Sequence, residues 1–328
     1  MQLQALYTWV SSMKKFLLKL LILILIVSTI IAPMHFIFMK NYVDVDSDYK
    51  NKFYDVPYDI EICNFGSSHG LYGYNYDNID DKYTCFNFAL SSQALTYDYR
   101  ILQNYKNHLK EGAYVFIPVS DFILFGTRQE DIDGYLGKNQ RYYYFLPPRL
   151  IENFDIEKYI YTKLPWLNCT NNELLDVLLN RNDKTVRVIF REDGTTYGEC
   201  VNDTKERTGQ RILDKDGWYY YKKVNNQELD ALYNMIDLCK ELNVIPILVT
   251  MPMTGAYSET INEMNPEFFD VYYNLMNKIV EENNVMYVDY RYDERLSDNY
   301  DLFDDSDHLN DFGAREFVDI LIKEVVEK

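Results

Sequence analysis

Five short apolar runs, spaced by segments of helical periodicity, constrain what this chain can fold into more than any other feature. They read YDIEICNF from Tyr58, YTCFNFAL from Tyr83, AYVFIPV from Ala113, VIPILVTM from Val244 and VMYVDY from Val285. Each is nearly continuous in apolar character, which suits a strand covered by helices on both faces of a parallel sheet. The segments QALTYDYRILQNYKNHLK, NQELDALYNMIDLCKEL and NPEFFDVYYNLMNKIVEEN, with FGAREFVDILIKEVVE last, carry the wider apolar spacing of helices. Such alternation predicts a three-layer α/β/α domain with five parallel strands in flavodoxin-like order. The domain is expected over 58–328. One insertion, about 122–225, is polar, tyrosine-rich and weakly periodic, and is expected to lie over one end of the sheet. With 328 residues and 47% hydrophobic content, the chain has material for one large core.

Ahead of that domain, LLILILIVSTIIAPMHFIFM, from Leu20 to Met39, is about long enough to cross a bilayer as a helix. Lys14, Lys15 and Lys19 precede it, and cytoplasmic flanks carry the excess of positive charge. Residues 1–40 therefore read as a cytoplasmic N-terminus and single-pass membrane anchor, with the rest extracytoplasmic. A cleavable signal peptide fits less well, because the apolar run exceeds a usual signal core and no Ala-x-Ala site follows. Segment 41–57 is a polar, acidic linker. Pro33 and His35 are tolerable near an interface, and His35 is assigned no chemistry.

Lys and Arg number 33 against 51 Asp and Glu, a net charge of −18. Such a surface repels phosphate backbones, so nucleic acid is a poor partner. Of five cysteines, Cys63 and Cys85 fall in strands, where a buried thiol is the default. Cys169 and Cys200 lie in the insertion and are a candidate bridge in an extracytoplasmic domain. Four scattered histidines and no Cys-x-x-Cys give no metal-ligand spacing, and no cofactor is expected. Tyrosines in RYYYF and WYYYK are expected mostly in core and half-buried positions rather than as sugar-stacking platforms.

Ligands of an open parallel sheet bind beyond the carboxyl ends of its strands. Gly66-Ser67-Ser68-His69 follows the first run, Ser91-Ser92-Gln93 the second, Ser120-Asp121 the third, and Thr250 to Thr254 the fourth. These loops are expected on one rim, with His69, Gln93 and Asp121 as candidate substrate contacts. Alone, the Gly-Ser-Ser-His stretch suits a polar turn as well as a nucleophile. A serine nucleophile needs a base, and the base needs a carboxylate to fix its tautomer. His308, in FDDSDHLNDFGAREF, is the best base in the chain. Asp305 stands three residues earlier and can turn back to Nδ1, leaving Nε2 for a serine; Asp304 and Asp307 are rivals. Asn310 or Asp311 is placed to cap the helix that follows. His108 is expected on the surface of an exposed helix.

Taken in order, NFGSSHG, NFALSSQ, IPVSD and DDSDHLN resemble the SGNH/GDSL hydrolase superfamily. More narrowly they resemble its membrane-anchored, extracytoplasmic branch. That branch includes the D-alanyl-transfer protein of teichoic acid operons and the SGNH proteins that accompany membrane-bound O-acyltransferases in polysaccharide O-acetylation. The resemblance runs from about Tyr58 to the C-terminus, apart from the insertion. It implies Ser68 as nucleophile, Asp305 and His308 as its partners, and an oxyanion hole at Ser68, Ser92 and Ser120. The family's glycine falls on Ser92, whose backbone N–H can still donate, and its asparagine falls on Ser120. A hydroxyl is shorter than an amide, and one lost oxyanion donor costs ~100-fold or more in rate. The resemblance thus implies ping-pong acyl transfer or ester hydrolysis on an extracellular glycan or teichoic-acid-like polymer, with a membrane-bound O-acyltransferase as a partner. The Ser120 departure leans toward slow transfer, or toward a catalytically weak module that presents glycan to that partner. A secreted lipase-like esterase is disfavoured by the anchor and by the lack of an evident acyl groove.

Overall fold

The computed structural model describes residues 2–41, 52–53, 55–125, 141–181 and 224–328. They fall into two compact units, 1–48 with 153–187 and 49–152 with 188–328. The strands are β1 (Ile60–Asn64), β2 (Cys85–Asn87), β3 (Leu109–Pro118), β4 (Ile245–Thr250) and β5 (Met286–Asp289). The longer helices are α1 (Gln2–Asn41), α2 (Ser68–Gly73), α3 (Leu95–Tyr105), α4 (Ile156–Lys163) and α5 (Asn171–Leu178), followed by α6 (Asn226–Glu241), α7 (Gly255–Met264), α8 (Phe268–Asn283) and α9 (Asp311–Leu321).

The second unit is built on a five-stranded sheet of order β2-β1-β3-β4-β5 with every neighbouring pair parallel, the expected flavodoxin-like arrangement. Register explains why the strands read as unbroken apolar runs. Ile62, Phe116, Ile247 and Val249 share one face and pack with Phe317, Val318 and Leu321 of α9. On the opposite face Cys63, Val115, Ile117 and Leu248 are all fully buried. The Cys63 thiol is pushed well above its ordinary pKa by that burial, with Cys239 of α6 nearby. Both faces exclude water, so an alternating pattern has nothing to select it.

Three local expectations differ from the structure. The helix expected through Lys110 ends at Tyr105, and a single turn, Lys106–His108, leads straight into β3. Pairing of Leu109 with Ile60 claims the chain for the sheet. His108 is accordingly half-buried: its Nδ1 lies 2.9 Å from the Pro57 carbonyl and its ring stacks on Tyr58. Helix α7 was not anticipated; Thr254 caps it by accepting from the Tyr257 N–H.

The insertion is the third difference. Residues 141–152 belong to the sheet unit, where the Tyr142 ring stacks on Tyr97 at 3.7 Å and Arg100 pairs with Glu152 at 2.8 Å. Tyr142 and Tyr143 are buried, as a core role for RYYYF requires. Residues 153–181 belong with α1 instead. There the Asn41 side chain donates to the Val177 carbonyl at 2.9 Å, and Trp166 Nε1 donates to His35 Nδ1 at 3.1 Å. The stretch Ser12–Asn41 of α1 is long and apolar enough to cross a membrane, and none of it is covered by protein in its most apolar window. Segment 42–51, WYYYK and Cys200 lie outside the described residues.

Candidate active site

The turn after β1 is shaped by backbone constraints that the sequence meets with glycine. Gly66 adopts φ +114, and a Cβ there would meet the Pro118 ring at 3.2 Å. Its N–H donates to Asp98 Oδ1 at 2.9 Å, and Gln93 Nε2 donates to the same oxygen at 2.5 Å. Ser67 then stands at the N-cap of α2 with its Oγ buried and unpartnered. Ser68 opens the helix and is half-buried, its hydroxyl reaching the rim. Below it, Asn64 and Asn87 both donate to the Gly70 carbonyl at 3.0 Å, and Tyr76 donates to Asn64 Oδ1 at 2.9 Å. Buried amides are thereby satisfied and the start of α2 is fixed on the sheet.

His308 comes to Ser68 on a loop closed by an antiparallel bridge between Phe303 and Leu309. Asp305 Oδ1 accepts from the backbone N–H of Asp307 at 3.1 Å and of His308 at 2.9 Å. The same carboxylate meets His308 Nδ1 at 2.9 and 3.0 Å. An ionised carboxylate only accepts, so Nδ1 carries the proton and Nε2 presents a lone pair. Ser68 Oγ lies 2.9 Å from that Nε2. Burial pushes the Asp305 carboxyl up, but the hydrogen bond and charge of His308 outweigh it and hold the group below its ordinary range. The loop is tied down from the N-cap of α7, because Thr254 Oγ1 donates to the Ser306 carbonyl at 2.7 Å. Beyond it Asn310 caps α9 by accepting from Gly313 N–H at 2.9 Å.

The remaining site residues divide by burial. Ser92 lies beyond the end of β2, half-buried, with φ 57, a left-handed conformation that favours glycine. Ser120 follows β3 and is buried, its carbonyl accepting from Ile123 and Leu124. The three proposed substrate contacts sit inside the protein. Gln93 serves Asp98, as above. Asp121 is fully buried and pairs with the equally buried Arg291 at 3.2 Å. His69 is 4% exposed, with Nε2 3.1 Å from Asp307 Oδ2 and its ring edge-on to His308 and Phe122. One residue of helix turns the side chain by about 100°, so when Ser68 faces the rim His69 does not. Asp307, a rival for the orienting carboxylate, is thus engaged with His69, and its Oδ1 stays 3.8 Å from His308 Nδ1.

Sequence reasoning missed the Asp98–Gly66, Arg291–Asp121 and His69–Asp307 contacts, each made between residues far apart in sequence. His69, Asp307 and His308 bring ligand atoms within 4.8 Å of one another, a metal-sized cluster. Their ring nitrogens already face Asp307, Asp305 and Ser68. The arrangement supplies a hydroxyl, a base on it and a carboxylate orienting the base, which are the parts of nucleophilic acyl chemistry.

No protein-family model matches this chain, and no curated protein matches it. Among solved structures, a "putative acylhydrolase" from Bacteroides fragilis aligns over 87% of this chain and 98% of its own, at 12% sequence identity and a TM-score of 0.39.

Proposed function

We propose that this chain is an SGNH-type serine acyltransferase or carbohydrate esterase, held at the outer face of a membrane by α1, with its sheet domain extracytoplasmic. The observation that carries this is the alignment of Ser68 Oγ, His308 Nε2 and Asp305 in one chain of contacts, each 2.9 Å. In the proposed reaction His308 takes the Ser68 proton at Nε2 as Oγ attacks an ester or thioester carbonyl. Asp305 stabilises the imidazolium that results, and backbone N–H groups of Ser68 and Ser92 receive the oxyanion. His308 returns the proton to the leaving oxygen or sulfur. The acyl group on Ser68 then passes to a glycan hydroxyl or to water, again with His308 as base. The acceptor is an extracellular glycan or a teichoic-acid-like polymer, and a membrane-bound O-acyltransferase is the proposed source of acyl groups.

The second reading, a glycan-presenting partner with little catalysis of its own, draws support from Ser120. Its buried serine replaces the longer amide donor of the resembling family. Hydrolysis of an activated acetyl ester by purified chain and by Ser68→Ala separates the two. The enzyme reading expects turnover that disappears in the variant; equal rates for both proteins favour the presenting role.

A further inference from the structure

The proposed chemistry makes no use of residues 153–181. We propose that this segment lies in the membrane–water interface beside one end of α1, with its apolar side chains inserted at the headgroup–acyl boundary. The proposal rests on the anchor role proposed for α1.

Depth comes from two hydrogen bonds. A bilayer's hydrocarbon core takes about 20 helical residues. Exposed large apolar side chains run along α1 from Met13 to Ile37. His35 stands within about one turn of Met39, where the apolar run ends, and Trp166 is bonded to it; Asn41, about 9 Å further along at ~1.5 Å per residue, lies just past that end and holds Val177. The segment between those bonds is pinned at headgroup level. Tryptophan is enriched at that depth because its ring is apolar and its N–H is not.

The exposed surface fits the same place. Ile156 and Ile160, one turn apart on α4, are 62% and 42% exposed, and Leu175 and Leu179, one turn apart at α5, are each 54% exposed. A short helix facing water gains nothing from paired aliphatic side chains at that spacing, whereas an interfacial helix buries them. Within 153–181 four carboxylates face three cations, a net charge of −1 that leaves little repulsion from anionic headgroups. The apolar surface of α1 ends where this segment begins, and that continuity argues for lipid as its occupant.

The test uses the full chain in lipid nanodiscs, with Trp9 and Trp218 replaced by Phe, Trp166 kept in its bond to His35, and one probe added at a time as Ile160→Trp, Leu179→Trp or Ile26→Trp, its emission read as the difference from the chain with Trp166 alone. Probes at 160 and 179 are expected to lose more emission to lipids brominated near the headgroup than to lipids brominated deep in the chain. The probe at 26 is expected to show the reverse order. Probes at 160 and 179 that keep their emission while the probe at 26 is quenched would overturn the interfacial placement alone, including in favour of a protein partner. Loss of quenching at all three would overturn the anchor and this proposal together.

Discussion

His308 Nε2 lies 2.9 Å from Ser68 Oγ across 240 residues of sequence, while its Nδ1 meets Asp305 only three residues away. The two contacts have different origins. The histidine–carboxylate pair is made by a local turn in which Asp305 also accepts two backbone N–H bonds. The serine contact requires the sheet, α9 and the Thr254 tie to the Ser306 carbonyl. The proposed base is thus oriented locally and delivered globally.

Three neighbouring carboxylates are distinguished by that geometry. Asp305→Asn should lower kcat/KM by about 10⁴-fold, the scale set by losing the orienting carboxylate of a triad. Asp307→Asn should act mainly on stability, by about 1–3 kcal/mol, because the buried His69 exchanges its carboxyl partner for an amide. Asp304→Asn should cost less activity than Asp305→Asn, because it is Asp305 that meets His308 Nδ1. Steady-state kinetics and urea melts on the three variants check the order.

The pH dependence of folding follows from Asp305. Its folded pKa is depressed below the unfolded value of about 3.9. The stability it contributes is therefore fully present above that value and is lost as pH falls through the folded pKa. The stability gap between the parent chain and Asp305→Asn should shrink as pH falls below about 4. Urea melts across that range read it directly.

Asp121 and Arg291 form a buried pair with no exposure at either side chain. Burial disfavours the guanidinium charge, but Asp121 and neighbouring tyrosines more than restore it, and its pKa is raised. Asp121→Ala leaves that charge alone in the core, at a cost of about 3–5 kcal/mol. Thermal unfolding should show it as a large drop in Tm, well beyond that of Ser92→Ala.

Ser92 holds a left-handed φ of 57 in the turn beyond β2. Ser92→Gly should retain activity if the backbone N–H, and not the hydroxyl, is what the site uses. It should also relieve about 1 kcal/mol of backbone strain, partly offset by the greater freedom of glycine when unfolded. Parallel kinetics and melts test both statements.

Much of the fold was legible because burial on both sheet faces writes the central strands β1, β3 and β4 as apolar runs. Asp305 and His308 were legible because their contact is local. The choice of Ser68 over Ser67 came from the family resemblance and not from local pattern, since only the start of α2 decides which hydroxyl faces out. The inward turn of His69 follows from that same start. Asp98 supports Gly66 from 32 residues away, and Arg291 meets Asp121 from 170 away, so no local pattern announces either. Residues 153–181 read as part of a polar insertion because their aliphatic side chains are paired at helical spacing on two helices too short to show a period.

The most direct test of the account is covalent. Full-length protein treated with a fluorophosphonate should gain one adduct, and peptide mapping should place it on Ser68. Ser67→Ala should label like the parent, His308→Ala should label far more slowly, and Ser68→Ala should not label. An adduct on Ser67, or no adduct on the folded parent chain, would contradict the assignment of Ser68 as an activated nucleophile.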